Sequence, residues 1–187
     1  QMACELEQGG KQDPYIAAYG GITAFTFRPD ELVRHEAVKL SADTLNDLED
    51  HLLLFFTGFT RSAAEALKPQ VDIKTERKNL GYVKELGLAS KVALESGDMN
   101  GFAHLLNNQW AAKIVRQPDT DQRICDLRNL GMENGALGAK LVGAGGGGFL
   151  LFYAEDRARL RKTMREAGLQ ETRFRFDWEG AKVVVSQ

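Results

Sequence analysis

Gly138-Ala139-Lys140-Leu141-Val142-Gly143-Ala144-Gly145-Gly146-Gly147-Gly148-Phe149-Leu150-Leu151-Phe152-Tyr153 is the stretch whose reading decides the fold. Lys140–Val142 and Phe149–Tyr153 read as strands, and the residues between them carry five of the chain's 19 glycines. Glycine loses the most backbone entropy on ordering, so four in a row weaken a fold unless something requires a backbone without side chains. Close approach to a phosphate, with successive N–H groups turned toward it, is such a requirement; a tight structural hairpin is the alternative. Gly143, Gly145 and Gly148 formally match G-x-G-x-x-G, but that fingerprint opens a helix, and here a strand follows.

Working outward, Leu160, Met164 and Ala167 recur at helical spacing after the second strand. Phe174, Phe176 and Trp178 then alternate with Arg173, Arg175 and Asp177, and Glu179-Gly180 leads into Ala181–Val185, which predicts a hairpin. Upstream, Ile124, Leu127 and Leu130 mark a helix. Lys78–Ile114 is mostly helical, with Phe102, Leu105, Leu106, Trp110 and Ile114 as its stripe and Asp98 as a cap. A helix from Ser62 ends near Lys68, ahead of Pro69. His51–Thr57 is a continuous apolar run, expected as a strand covered on both faces, and Ser41 caps the helix before it. Ile22–Phe27 alternates as a strand, and Asp13-Pro14 looks like the start of a short helix closed by Gly20-Gly21. Strands parted by helices early and paired late indicate an α+β fold.

Composition narrows the function. The chain has 187 residues, with 24 Lys and Arg against 26 Asp and Glu, a net charge of -2 that disfavours nucleic acid as a partner. No apolar run approaches the roughly 20 residues that cross a bilayer, so no membrane partner is expected. Cys4 and Cys125 form neither a disulfide framework nor a metal knuckle, which fits a reducing, cytoplasmic setting. His35, His51 and His104 have no ligand spacing, and no metal site is predicted. Arg157, Arg159, Arg161, Lys162 and Arg165 read as a solvated helix face. The chain opens on Gln1 with no signal-peptide pattern, as a processed terminus or a piece of a longer protein would.

Two further residues could carry chemistry. Asp13, in Gly9-Gly10-Lys11-Gln12-Asp13, is either an N-cap or a carboxylate kept ionised as a base by Lys11 and a helix N-terminus. The segment fails the Walker A pattern, since Gln12 follows Lys11 where Ser or Thr belongs. Arg61, in Thr57-Gly58-Phe59-Thr60-Arg61-Ser62, follows a buried strand, where an Arg suits phosphate; an exposed surface Arg is the alternative.

Taken together, these segments resemble the GHMP small-molecule kinases. Gly9–Tyr15 with Tyr19-Gly20-Gly21 is similar to the segment bearing their catalytic Asp, and Gly138–Tyr153 to their C-terminal glycine motif. Thr57–Ala63 resembles the T-G-x-x-R-x-A signature of the sugar-1-kinase branch, which includes heptose 7-phosphate kinases and fucokinases. Trp110 with Lys113 falls where that branch carries W-x-x-K.

The resemblance implies an end of the N-terminal domain over 1–40 and a ferredoxin-like C-terminal domain over 41–187. It also implies MgATP-dependent phosphorylation of a sugar or sugar phosphate, a heptose 7-phosphate at its anomeric hydroxyl being favoured. Asp13 would be catalytic, and Lys11, Gln12 and Arg61 would bind substrate. The loop Gly143, Ala144, Gly145, Gly146, Gly147 and Gly148 would face the phosphate. The family's nucleotide-binding segment and its acidic metal ligand are absent from these residues. A missing N-terminal half is therefore expected as a partner, and the chain alone is expected to be inactive. A fucokinase- or galactokinase-like enzyme with another acceptor, or a non-catalytic sugar-binding protein of the same fold, remains open.

Overall fold

The computed structural model describes residues 11–59, 71–143 and 147–182. The chain divides into two compact units, 1–39 with 175–187, and 40–174. The last residues group with the first unit, which departs from a single cut at 40.

The larger unit is α+β. Its elements are α2 (Ala42–His51), β3 (Leu52–Phe56), α3 (Ile73–Ser96), α4 (Met99–Arg116), α5 (Gln122–Glu133), β4 (Ala136–Leu141), β5 (Phe149–Ala154), α6 (Arg157–Glu166) and β6 (Gln170–Glu171). The four-stranded sheet runs β4-β5-β3-β6 with antiparallel neighbours. From β3 onward this is the βαββαβ order of a ferredoxin-like fold.

Local chemistry sets the helix boundaries. The Ser41 hydroxyl accepts from Thr44 N at 3.0 Å to start α2. Gly97, at φ 73°, ends α3, and Asp98 caps α4 by accepting from Gly101 N at 2.9 Å. The helical run expected over Lys78–Ile114 is therefore two helices.

The core lies between the sheet and α5 and α6. Phe55, Phe152, Ile124, Leu160 and Met164 are all 1% exposed or less. Burying a side chain of this size contributes about 1.5–3 kcal/mol. Gly131 of α5 has no room for a Cβ because the Phe152 ring occupies that space.

Contrary to the expectation of two covered faces, β3 alternates. Leu53 and Phe55 face the core, while Leu54 and Phe56 are half-buried. On their side of the sheet Phe56 meets the Phe149 ring, centroids 5.3 Å apart, and Tyr153 is held under α2 by donating to Asp47.

The free edge of β4 is covered by one side chain. Asn107 donates from Nδ2 to Leu137 O (2.9 Å), and its Oδ1 accepts from Ala139 N (3.1 Å), so the amide stands in for a neighbouring strand. A register shift between Ala136 and Gly138 exposes those groups to it.

The smaller unit holds α1 (Gln12–Tyr19), β1 (Thr23–Phe27) and β2 (Val33–Ala37). β1 and β2 form an antiparallel pair, which gives the strand read at Ile22–Phe27 its neighbour. The hairpin expected over Thr172–Val185 does not form among the described residues. The Asp177 carboxylate accepts from Glu179 N at 2.9 Å, and Gly180 lies against the α1 C-terminus at Ala18. Val183–Val185 lie outside the described residues.

Candidate functional site

The glycine loop is anchored on both sides by elements distant in sequence. At its start, Lys113 Nζ on α4 donates to the carbonyls of Leu141 (3.3 Å) and Gly143 (2.7 Å). At its end, Thr57 donates to Gly148 O from both its backbone N (2.8 Å) and its hydroxyl (2.9 Å), and Gly148 N donates to Phe59 O at 2.7 Å. Val142 N to Phe149 O, at 2.8 Å, closes the neck.

Gly143, Gly147 and Gly148 have φ of 82°, 147° and 95°, a region that side chains with a Cβ rarely enter. Among the described residues nothing accepts from the N–H of Gly143 or Gly147. The carbonyls of Leu141, Gly143 and Gly148 are held by Lys113 and Thr57. Gly148 differs, its N–H being taken by Phe59. Ala144, Gly145 and Gly146 lie outside the described residues.

The same bonds bring the Thr57-Gly58-Phe59 segment beside the loop. Arg61, two residues further on, lies outside the described residues. Next to Phe59 is an open concavity of about 500 Å³, lined among others by Phe56, Thr57, Gly58, Arg123 and Leu127. The Arg123 guanidinium stacks 4.0 Å above the Phe59 ring centre and pairs with Asp121 at 2.6 Å. No sequence motif pointed to Arg123.

Lys113 is the second residue whose role the sequence left unstated. It is 8% exposed, and its ammonium is pushed down to about 8, first by burial and then by the nearby Lys140 and Arg116. Lys140 is likewise lowered by burial and donates to Gln109 Oε1 at 2.6 Å.

Asp13 belongs to the other compact unit. Helix α1 begins at Gln12 with Lys11 in the cap position, so Asp13 is a first-turn residue and not the N-cap. Lys11, Gln12 and Asp13 are exposed, and no described residue hydrogen-bonds the Asp13 carboxylate. The N-cap alternative for Asp13 therefore falls away. Among the described residues there is no group of three or more His, Cys, Asp or Glu that could hold a metal ion.

Solved kinases share this fold. A D-glycero-D-manno-heptose 1-phosphate kinase from Bacteroides thetaiotaomicron superposes with a TM-score of 0.67 at 25% identity, over 98% of this chain and 52% of that one. A mevalonate kinase from Staphylococcus aureus shares the fold at a TM-score of 0.53, over 81% of this chain and 46% of that one, at 22% identity.

Residues 90–169 match the family model of the GHMP kinases C-terminal domain. It is 27% identical to a D-glycero-alpha-D-manno-heptose 7-phosphate kinase of Campylobacter jejuni, over 97% of this chain and 57% of that protein. It is 29% identical to a bifunctional fucokinase/GDP-fucose pyrophosphorylase of Arabidopsis thaliana, over 82% of this chain and 15% of that protein. The chain thus spans little more than half of the first of these relatives and a smaller part of the second. Among the described residues no helix is long and apolar enough to cross a membrane.

Proposed function

We propose that the chain is the C-terminal part of an ATP-dependent sugar kinase whose acceptor is a heptose 7-phosphate, phosphorylated at the anomeric hydroxyl. The observation that carries this reading is the pinned loop, with the Gly143 and Gly147 amides unaccepted and the carbonyls of Gly143 and Gly148 held by Lys113 and Thr57. Such donors suit the charge on a transferring phosphoryl group, where positioning and electrostatics do most of the work. The acceptor follows the Campylobacter relative, which is named for a heptose 7-phosphate.

On this reading residues 40–174 are the second kinase domain, and 1–39 belong to the first. MgATP supplies the phosphoryl group, and its metal ligands and nucleotide-binding segment come from outside these residues. Asp13, exposed and without a hydrogen-bonding partner among the described residues, accepts the proton of the attacking hydroxyl. Lys11 and Gln12 flank the sugar. Arg61 takes the phosphate already on the acceptor. The fucokinase relatives support fucose as the second acceptor to try.

The test is a kinase assay on the full-length protein with MgATP and either heptose 7-phosphate or fucose. Turnover on the heptose phosphate that falls about 10²–10⁴-fold in Asp13→Asn is expected. Arg61→Ala should raise KM for the phosphorylated sugar and leave that for ATP unchanged. Turnover on fucose alone, or an unaffected Asp13→Asn enzyme, would overturn the assignment. The 187-residue chain by itself should show no turnover.

A further inference from the structure

Helix α3 turns one face to α4. Asn79 donates from Nδ2 to Ala112 O at 2.8 Å, Ser90 accepts from Gln109 Nε2 at 3.2 Å, and Leu86, Ala93 and Leu94 are buried on the same side. The opposite face carries a second apolar stripe. Leu80, Leu88 and Val92 recur at multiples of four residues, along one ridge of the helix, and are 45%, 59% and 64% exposed. Exposed Lys84 continues the ridge between them. Apolar residues scattered singly on a surface need no explanation, whereas a ridge of them on one helix marks a contact surface.

Gly81 lies in the same stripe. It is inside the helix, outside the left-handed region, and a Cβ added there would meet nothing within 4 Å. A helix-interior glycine weakens the helix relative to alanine, and neither backbone strain nor a described neighbour requires one here. What it provides is room for a second helix to come close.

Charge is divided along α3 as well. Residues 73–84 hold Lys74, Arg77, Lys78 and Lys84 against Glu76, whereas residues 85–96 hold Glu85 and Glu95 against Lys91. A helix basic at its start and acidic at its end complements itself when two copies run antiparallel, as they do about a two-fold axis that crosses the helix.

We propose that the outward face of α3 is a homodimer interface, on which the same helix of a second copy of this protein lies antiparallel. With the two-fold axis at residue 86, Leu80 meets Val92 of the second copy and the Lys84 stem covers its Leu88. Arg77 then faces Glu95 of the second copy, a residue that in its own chain approaches Lys91 at 3.8 Å. The remainder of a longer chain could also cover an apolar ridge, but it has no need of a helix complementary to itself. The proposal is independent of the kinase reading.

Sedimentation equilibrium of the full-length protein, from about 1 to about 500 µM, tests it. One helix face is at the small end of protein interfaces, so a monomer–dimer equilibrium of micromolar strength is expected. Leu88→Arg and Val92→Arg should each raise the dimer Kd about tenfold or more, with helix content by circular dichroism unchanged. Arg77→Glu and Glu95→Arg should each raise it by a few-fold, the range of exposed ion pairs, and the two together should restore it. Simple loss of folding cannot produce that recovery.

A full-length protein that stays monomeric over this range overturns the proposal, and the ridge is then covered by the rest of the chain or left to solvent. A dimer that survives both arginine variants in folded form also overturns it. If those variants do not fold, the charge pair decides. Single variants that leave Kd unchanged, or a double variant that does not recover it, refute the antiparallel pairing.

Discussion

Residues 28–32 return the chain from β1 to β2, and residues 142–148 return it from β4 to β5. The first connection satisfies itself. Arg28 N donates to Leu32 O and Glu31 N to Arg28 O, both at 3.1 Å, and Arg28 pairs with Asp30 at 2.8 Å. The second is held from outside, by Lys113 on α4 and by Thr57 and Phe59 beyond β3. The strands differ in the same sense: β2 has four of its five residues exposed, whereas β5 buries Leu150, Phe152, Tyr153 and Ala154. A turn that only reverses the chain needs no partners beyond its own residues. A turn whose described carbonyls are claimed by other elements has its geometry tied to theirs.

The contrast is broken most strongly at Gly138. A Cβ there would run into the backbone carbonyl of Ala103 on α4, which cannot move without shifting the helix. Gly138→Val should therefore cost more than about 3 kcal/mol in urea unfolding of the full-length protein. Thr26→Val, on exposed β1, should stay within about 0.5 kcal/mol. Similar small losses at both positions would mean that β4 is no more embedded than β1.

Next in size is the pH dependence set by Lys113. Its folded-state value is about 8 against an ordinary 10.5, so between these the unfolded chain binds more protons. Stability should rise with pH across that window, and the cost of burying the charge, roughly 3 kcal/mol, is fully present below it. Lys113→Met should lack the rise. Wild-type and variant stability curves that run parallel from pH 8 to 10.5 would show an ordinary lysine.

How much of this the sequence carried depended on whether neighbours in sequence settle the structure. Ser41 and Asp98 act within three residues, and both caps are where their side-chain chemistry predicts. The apolar spacing of Leu106 and Trp110 puts both in the core. β2 was not legible because Val-Arg-His-Glu-Ala has no buried face, and only the return at 28–32 sets it against β1. Phe174, Phe176 and Trp178 alternate like a strand, yet the strand that pairs with β3 is the short Gln170–Glu171 ahead of them. For the candidate site, the glycine run announced itself by composition. The hold of Lys113 on Gly143 did not, because it spans 30 positions and depends on how α4 lies along β4. Lys11, and not Asp13, occupies the α1 cap, a shift that side-chain preference alone predicts in the opposite direction.

The two turns also respond oppositely to gaining or losing a side chain. Gly148 sits at φ 95° with its N–H and C=O both engaged, so Gly148→Ala forces a Cβ into a conformation disfavoured by about 1–2 kcal/mol. A loss of that size in urea unfolding is expected, with the Thr57 bond loosened. No loss would mean that the loop relaxes freely and is not held by Thr57 and Phe59.

The smallest effect should have the opposite sign. Glu31, at φ 63°, is the one non-glycine residue in the left-handed region among the described residues, and it lies in the self-contained turn. Glu31→Gly relieves that strain and in return adds unfolded-state freedom, for a net gain of about 0.5 kcal/mol. A gain establishes that the 28–32 connection tolerates change because nothing outside it depends on its geometry. A loss would reveal that Glu31 makes a contribution beyond its backbone, and the return from β1 to β2 would then be held by more than its own residues.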